Sequence, residues 1–183
     1  MNNLNILQIG IFAVLIGGLI GIVSLHTPAL ATNIDVAGIY SAPLSGDSEV
    51  PKVNTQASGE ARFESNAQAA ALGDAAAAAS SSSDMSYEIT AQSIEEVTAA
   101  HIHMGKNNEN GPVVFTLFDP DTPTGEINGR LVSGTINVQS LEGPLEGKQI
   151  SDLVDLFDRG DAYVNVHTQT NPNGEIRGTI QQG

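Results

Sequence analysis

From residue 34 to the end of the chain, hydrophobic and polar residues alternate in short runs separated by Gly, Pro, Asn and Asp. A period of two predicts strands with one buried face, and the interruptions predict turns. Seven or eight such strands in about 145 residues favour an all-β, antiparallel β-sandwich, with an eight-stranded barrel as the alternative.

The clearest strand patterns lie at 58–64, 86–90, 113–118, 131–136, 162–167 and 175–180. The run 113–118 is apolar on both faces, which predicts a central strand. Asn128-Gly129 and the segment 171–174 (Asn-Pro-Asn-Gly) are typical turn sequences. The second of them separates two strand patterns and therefore predicts a hairpin loop.

The segment 148–159 departs from this alternation and predicts one short helix. Its apolar face would consist of Ile150, Leu153, Val154 and Phe157. The sequence predicts Ser151 as the N-cap residue and Gly160 as the C-terminal stop. We expect this helix to cover an open end of the β-structure.

Two further segments lie outside the β pattern. Residues 6–25 form an uncharged apolar run, and Ala29-Leu30-Ala31 after Pro28 matches a signal peptidase site. We expect 1–31 to be a cleaved signal peptide, with a retained N-terminal membrane anchor as the alternative. Either places domain 34–183 outside the cytoplasm, secreted or anchored to the outer face of the cell membrane. Residues 66–84 are a low-complexity Ala/Ser insertion, expected at a hairpin tip.

Charge excludes some partners. The formal net charge is −14 at pH 7. Such a chain repels phosphate backbones and anionic lipids, so we expect neither nucleic-acid binding nor membrane contact beyond an uncleaved leader. Cysteine is absent, which excludes disulfides, thiolate nucleophiles and Cys-based metal centres.

Three histidines follow the leader and form the candidate site: His101, His103 and His167. Residues i and i+2 of a strand share a face, so His101 and His103 present two imidazoles side by side. His167 ends another predicted strand, and all three nitrogens converge if the two strands are neighbours. Three neutral imidazoles suit Cu(II) or Zn(II), with Cu(II) first by intrinsic affinity and water as the fourth ligand. A purely structural, hydrogen-bonded histidine cluster is the alternative.

No sequence motif indicates catalysis. The chain contains no Gly-x-Ser-x-Gly, no Walker-type phosphate loop and no His-Glu-x-x-His. Glu175 and Arg177 share one strand face, and we expect an exposed structural pair there. The sequence therefore leans towards a non-enzymatic module that binds a protein or an ion.

Several motifs together resemble the chordin (CHRD) domain family over about residues 38–181. They are Leu44-Ser45-Gly46-Asp47-Ser48-Glu49-Val50-Pro51, Ala100-His101-Ile102-His103-Met104-Gly105, Gly111-Pro112-Val113-Val114, Ala162-Tyr163-Val164-Asn165-Val166-His167-Thr168 and Asn173-Gly174-Glu175-Ile176-Arg177-Gly178-Thr179-Ile180. Lys52 stands where the family usually has a second Pro. The resemblance implies an extracellular β-sandwich-like module and no defined reaction. For the topology of the sandwich we expect a Greek key that is immunoglobulin-like or superoxide dismutase-like.

A weaker resemblance concerns the metal alone. His101-Ile102-His103 is similar to the copper-binding His-Val-His strand of Cu/Zn superoxide dismutases, which are also β-sandwiches. Only three histidines follow the leader, so a complete two-metal site cannot form. The alternative function is therefore a mononuclear copper or zinc protein with redox or superoxide-related activity.

Overall fold

The computed structural model describes residues 38–65, 84–106 and 108–183. The predicted leader and residues 66–83 of the Ala/Ser insertion lie outside these ranges. Nine strands are described: β1 (Ile39–Ser45), β2 (Ser58–Ser65), β3 (Met85–Ile94), β4 (Val97–Met104), β5 (Val113–Phe118), β6 (Ile127–Ile136), β7 (Ala162–Thr168), β8 (Ile176–Thr179) and β9 (Gln181–Gln182). One α-helix, α1, spans Ile150–Arg159.

The strands form one antiparallel sheet in the order β5-β4-β7-β8-β1-β2-β3-β6, and β9 pairs with β1. The sheet curls until its two ends approach each other. Tyr87 of β3 bridges this closure, because its hydroxyl donates to the Leu117 carbonyl of β5 at 2.7 Å. The prediction of an all-β antiparallel fold with one short helix is confirmed, and the sheet is an almost closed barrel or sandwich.

Alternation places one face of each strand in the core. Ala61 and Phe63 of β2, Ile89 of β3, and Ala100 and Ile102 of β4 are fully buried. The predicted 171–174 hairpin is confirmed, because β7 and β8 pair on either side of it. β2 and β3, which flank the Ala/Ser insertion, also pair with each other.

One strand prediction and one turn prediction were wrong. β5 is an end strand and not a central one, because among the described strands it pairs only with β4. Its second edge is covered by the segment after β6, where the Glu142 amide donates to the Val114 carbonyl at 2.9 Å. Asn128-Gly129 is not a turn but part of β6, opposite an irregularity in β3. Gly129, with φ of 152°, absorbs that irregularity.

The helix α1 forms as predicted, except at its start. Gln149 is the N-cap, and its backbone amide donates to the Asp152 carboxylate at 2.8 Å. The predicted N-cap, Ser151, therefore lies inside the helix. Phe157 places its ring 5.3 Å from Tyr40 and 5.2 Å from Phe63, which anchors α1 to β1 and β2. Within the described residues, no helix is long and apolar enough to cross a membrane.

The C-terminus of α1 yields a stability prediction. Gly160 adopts φ of 65°, and its amide donates to the Phe157 carbonyl. Ala is strained there, so Gly160→Ala should lower the free energy of unfolding by about 1 kcal/mol. Urea unfolding measures this loss. Gly125→Ala is the control, because an added Cβ also meets open space there and φ lies outside the range that favours glycine. Equal losses in both variants would contradict the explanation.

Candidate metal centre

Pairing of β4 with β7 brings the three predicted histidines together. His103 lies opposite Tyr163, His101 opposite Asn165, and Ala99 opposite His167. All six positions share the sheet face that points away from the core, because their neighbours Ala100, Ile102 and Val164 point inward. His167 is thus diagonal to His101, close enough for side-chain contact.

The imidazoles form a compact triangle. Their ring centroids are 5.7 Å apart for His101–His103, 5.0 Å for His101–His167 and 6.1 Å for His103–His167. One nitrogen from each ring lies within 4.8 Å of the other two. Nitrogens bound at about 2 Å in a tetrahedral site are about 3.3 Å apart, so the most widely separated nitrogens must close by up to about 1.5 Å on binding. Rotations of the imidazole side chains would have to supply this closure.

Hydrogen bonds set the tautomers of two rings. Nδ1 of His103 lies 2.8 Å from the Gly111 carbonyl oxygen, and Nδ1 of His167 lies 3.1 Å from that of Pro172. A carbonyl oxygen only accepts, so both Nδ1 atoms carry hydrogen. In the neutral rings each Nε2 then keeps its lone pair, which is the arrangement that second-shell partners give to metal-binding histidines.

Each ring also has one buried nitrogen without a hydrogen-bond partner: Nδ1 of His101, Nε2 of His103 and Nε2 of His167. Buried polar atoms in folded proteins are normally paired, so three neighbouring exceptions need a physical explanation. A cation bound between the rings is one such explanation, and the donor set fits Cu(II) or Zn(II).

The rings are held in the neutral form that a cation requires. Burial lowers the pKa of His167 to about 4. Burial also lowers the pKa of His103 and, against the opposing effect of the Glu142 and Asp119 carboxylates, that of His101. Near pH 7 all three imidazoles therefore have a lone pair available.

Sequence reasoning missed the residues that surround the triangle. Tyr163 stacks on His103, with centroids 4.9 Å apart and an interplanar angle of 6°. The prediction that Glu175 and Arg177 form an exposed pair was wrong. Arg177 is fully buried, whereas the Glu175 carboxylate accepts hydrogen bonds from Thr55 and Thr168. The one available signal was the alternation that puts Tyr163 and His167 on the same face of β7.

The family model described as CHRD domain matches residues 40–180. No curated protein and no solved structure gave a match to the chain. The matched region runs from β1 to the residue after β8 and includes all three histidines. The chain belongs to the CHRD domain family.

Proposed function

We propose that this protein is an extracytoplasmic, non-enzymatic CHRD module that binds one transition metal ion through His101, His103 and His167. The observation that carries the proposal is the convergence of three imidazoles, each with an unpartnered buried nitrogen. Cu(II) is the first choice, because imidazole ligands bind it more tightly than other divalent ions of the first transition series. Zn(II) is the second, with water completing its coordination.

The charge near the site supports a cation as the ligand. Glu142 is exposed, yet its carboxylate accepts a hydrogen bond from the Thr116 backbone amide at 3.1 Å, which holds it in place. Thr116 lies directly opposite His101 in the β4–β5 pair. A carboxylate held there attracts a cation, and the net charge of −14 repels anions. The same charges disfavour superoxide as a substrate, so we propose ion binding over a superoxide-related activity.

A protein partner has less support. Ile39, 56% exposed, is the single exposed large hydrophobic residue among those the structure describes. Protein docking sites usually present a contiguous apolar patch, and one side chain does not make one.

Export is proposed from the leader sequence, and mass spectrometry of the mature N-terminus would reveal cleavage after Ala31.

Metal titration of the purified, metal-free protein tests the proposed function. We expect one Cu(II) or Zn(II) per chain. At an ion concentration about 100 times Kd, the gain in unfolding free energy is about 2.7 kcal/mol, which corresponds to a rise in Tm of about 5–10 °C. No binding and no rise in Tm with either metal would refute it.

Glu142 yields a smaller prediction. Glu142→Gln removes the charge beside His101 while keeping an oxygen that can accept from the Thr116 amide. Cu(II) affinity should fall about two- to fivefold at low ionic strength, and less in high salt. Calorimetric titration at two salt concentrations measures both effects. The matched control is Glu146→Gln, another exposed glutamate of the same segment. Equal losses in the two variants would show that only net charge matters.

A further inference from the structure

The most unusual side chain in the described part of the molecule is Arg177. It is fully buried, and it is the largest of the fully buried side chains. Its guanidinium donates to three oxygens of one loop, between β4 and β5. These are the Lys106 carbonyl at 2.9 Å, the Glu109 carbonyl at 2.7 Å and the Asn110 side-chain oxygen at 3.0 Å. A buried cation therefore fixes the course of this loop.

The same loop ends on His103. The Gly111 carbonyl accepts from Nδ1 of His103 at 2.8 Å, and the Gly111 amide donates to the Tyr163 hydroxyl at 3.0 Å. Gly111 packs so closely on β4 that an added Cβ would collide with the Met104 carbonyl. The Met104 amide in turn donates to the Pro112 carbonyl at 2.9 Å. The oxygen that sets the tautomer of His103 is therefore held from both sides.

A second route joins Arg177 to the same imidazole. The guanidinium carbon lies 3.4 Å from the centroid of the Tyr163 ring, and the His103 ring stacks on that tyrosine. Both the plane of the imidazole and the carbonyl at its Nδ1 thus depend on residues that never reach the candidate ion. Second-shell groups of this kind orient metal ligands in other proteins.

We propose that Arg177 and Tyr163 are positioning residues, which hold His103 as its Nδ1–H tautomer with Nε2 directed at the ion. The metal role rests on the proposed function, whereas the tautomer can be measured without metal. Loss of either positioning residue should let the Gly111 carbonyl move away from Nδ1 of His103. Part of the population should then carry its hydrogen on Nε2, which leaves that nitrogen without a lone pair for the ion.

The test is ¹⁵N NMR of the imidazoles in the metal-free full chain, combined with Cu(II) titration. In the wild type, His103 should show a protonated Nδ1 and an unprotonated Nε2. Arg177→Lys and Tyr163→Phe should both introduce the Nε2–H form, and Cu(II) affinity should fall about tenfold or more. Tyr163→Phe retains the stacked ring and carries the test if Arg177→Lys does not fold. Arg159→Lys, which changes an exposed arginine on α1, is the control and should alter neither measurement.

The outcomes separate the two proposals. An unchanged His103 tautomer in the variants that fold, even if Tyr163→Phe is the only one, would overturn the positioning role, whatever the metal affinity. If the His103 tautomer changes in the variants that fold but the wild type binds no metal, the positioning role is supported and the metal centre is refuted. A changed tautomer with weakened binding supports both.

Discussion

A His101→Ala variant is expected to bind Cu(II) at least about 100-fold more weakly than the wild type. Removal of a second-shell partner alone typically costs 10- to 100-fold in metal affinity, and this change removes a ligand. The two remaining imidazoles, His103 and His167, lie on different strands with centroids 6.1 Å apart. Calorimetry and Tm with and without Cu(II) measure the loss. The His101→Ala/His103→Ala/His167→Ala variant should show no metal-dependent rise in Tm.

Loss of stability must be separated from loss of the site. Leu156→Ala is a suitable control, because Leu156 is buried on α1 and belongs to the hydrophobic core. It should lower Tm, since truncation of a buried Leu costs about 2–5 kcal/mol. Its metal-dependent rise in Tm should nevertheless match that of the wild type. If the histidine variants kept that rise, the ion would be bound elsewhere.

Local patterns were sufficient to predict most of the fold. Period-two alternation located β2, β3 and β7, and the change to a helical period located α1, since both follow from which side chains face the core. β5 was placed wrongly because an apolar pattern reports which faces of a strand are covered, not which of its edges are paired. The segment around Glu142, more than 20 residues later, hydrogen-bonds to the free edge of β5 in place of a further strand. No local pattern in β5 distinguishes that segment from a neighbouring strand.

The candidate site could also be predicted only in part from the sequence. The i, i+2 rule put His101 and His103 on one face, but their approach to His167 depends on the pairing of β4 with β7, which no local pattern encodes. Arg177 shows the larger limitation. A charged residue on an outward strand face predicts exposure, and only the loop that folds over it makes it buried. The polar layer outside the sheet is therefore a tertiary feature.

Glu49 is another buried polar residue, close enough to Arg177 to be affected by its charge, and its protonation should control the free energy of unfolding. The side chain is 5% exposed, and its Oε1 lacks a hydrogen-bond partner. Burial raises the pKa of Glu49 from 4.5 to about 7, although the charge of Arg177 acts in the opposite direction. Between these values the folded state binds one more proton than the unfolded state. The stabilisation is complete below pH 4.5 and is lost as pH rises through 7.

Glu49→Gln is therefore expected to gain stability relative to the wild type as pH increases. Glutamine has no proton to lose, so the variant-minus-wild-type difference in unfolding free energy should rise by about 3 kcal/mol between about pH 4.5 and pH 8. Urea unfolding in the presence of a chelator measures it, and taking the difference cancels the contribution of the histidines. Glu95→Gln, at an exposed position, should give a flat difference. A flat difference for Glu49→Gln as well would mean that the buried Arg177 charge outweighs desolvation and keeps this carboxylate ionised throughout.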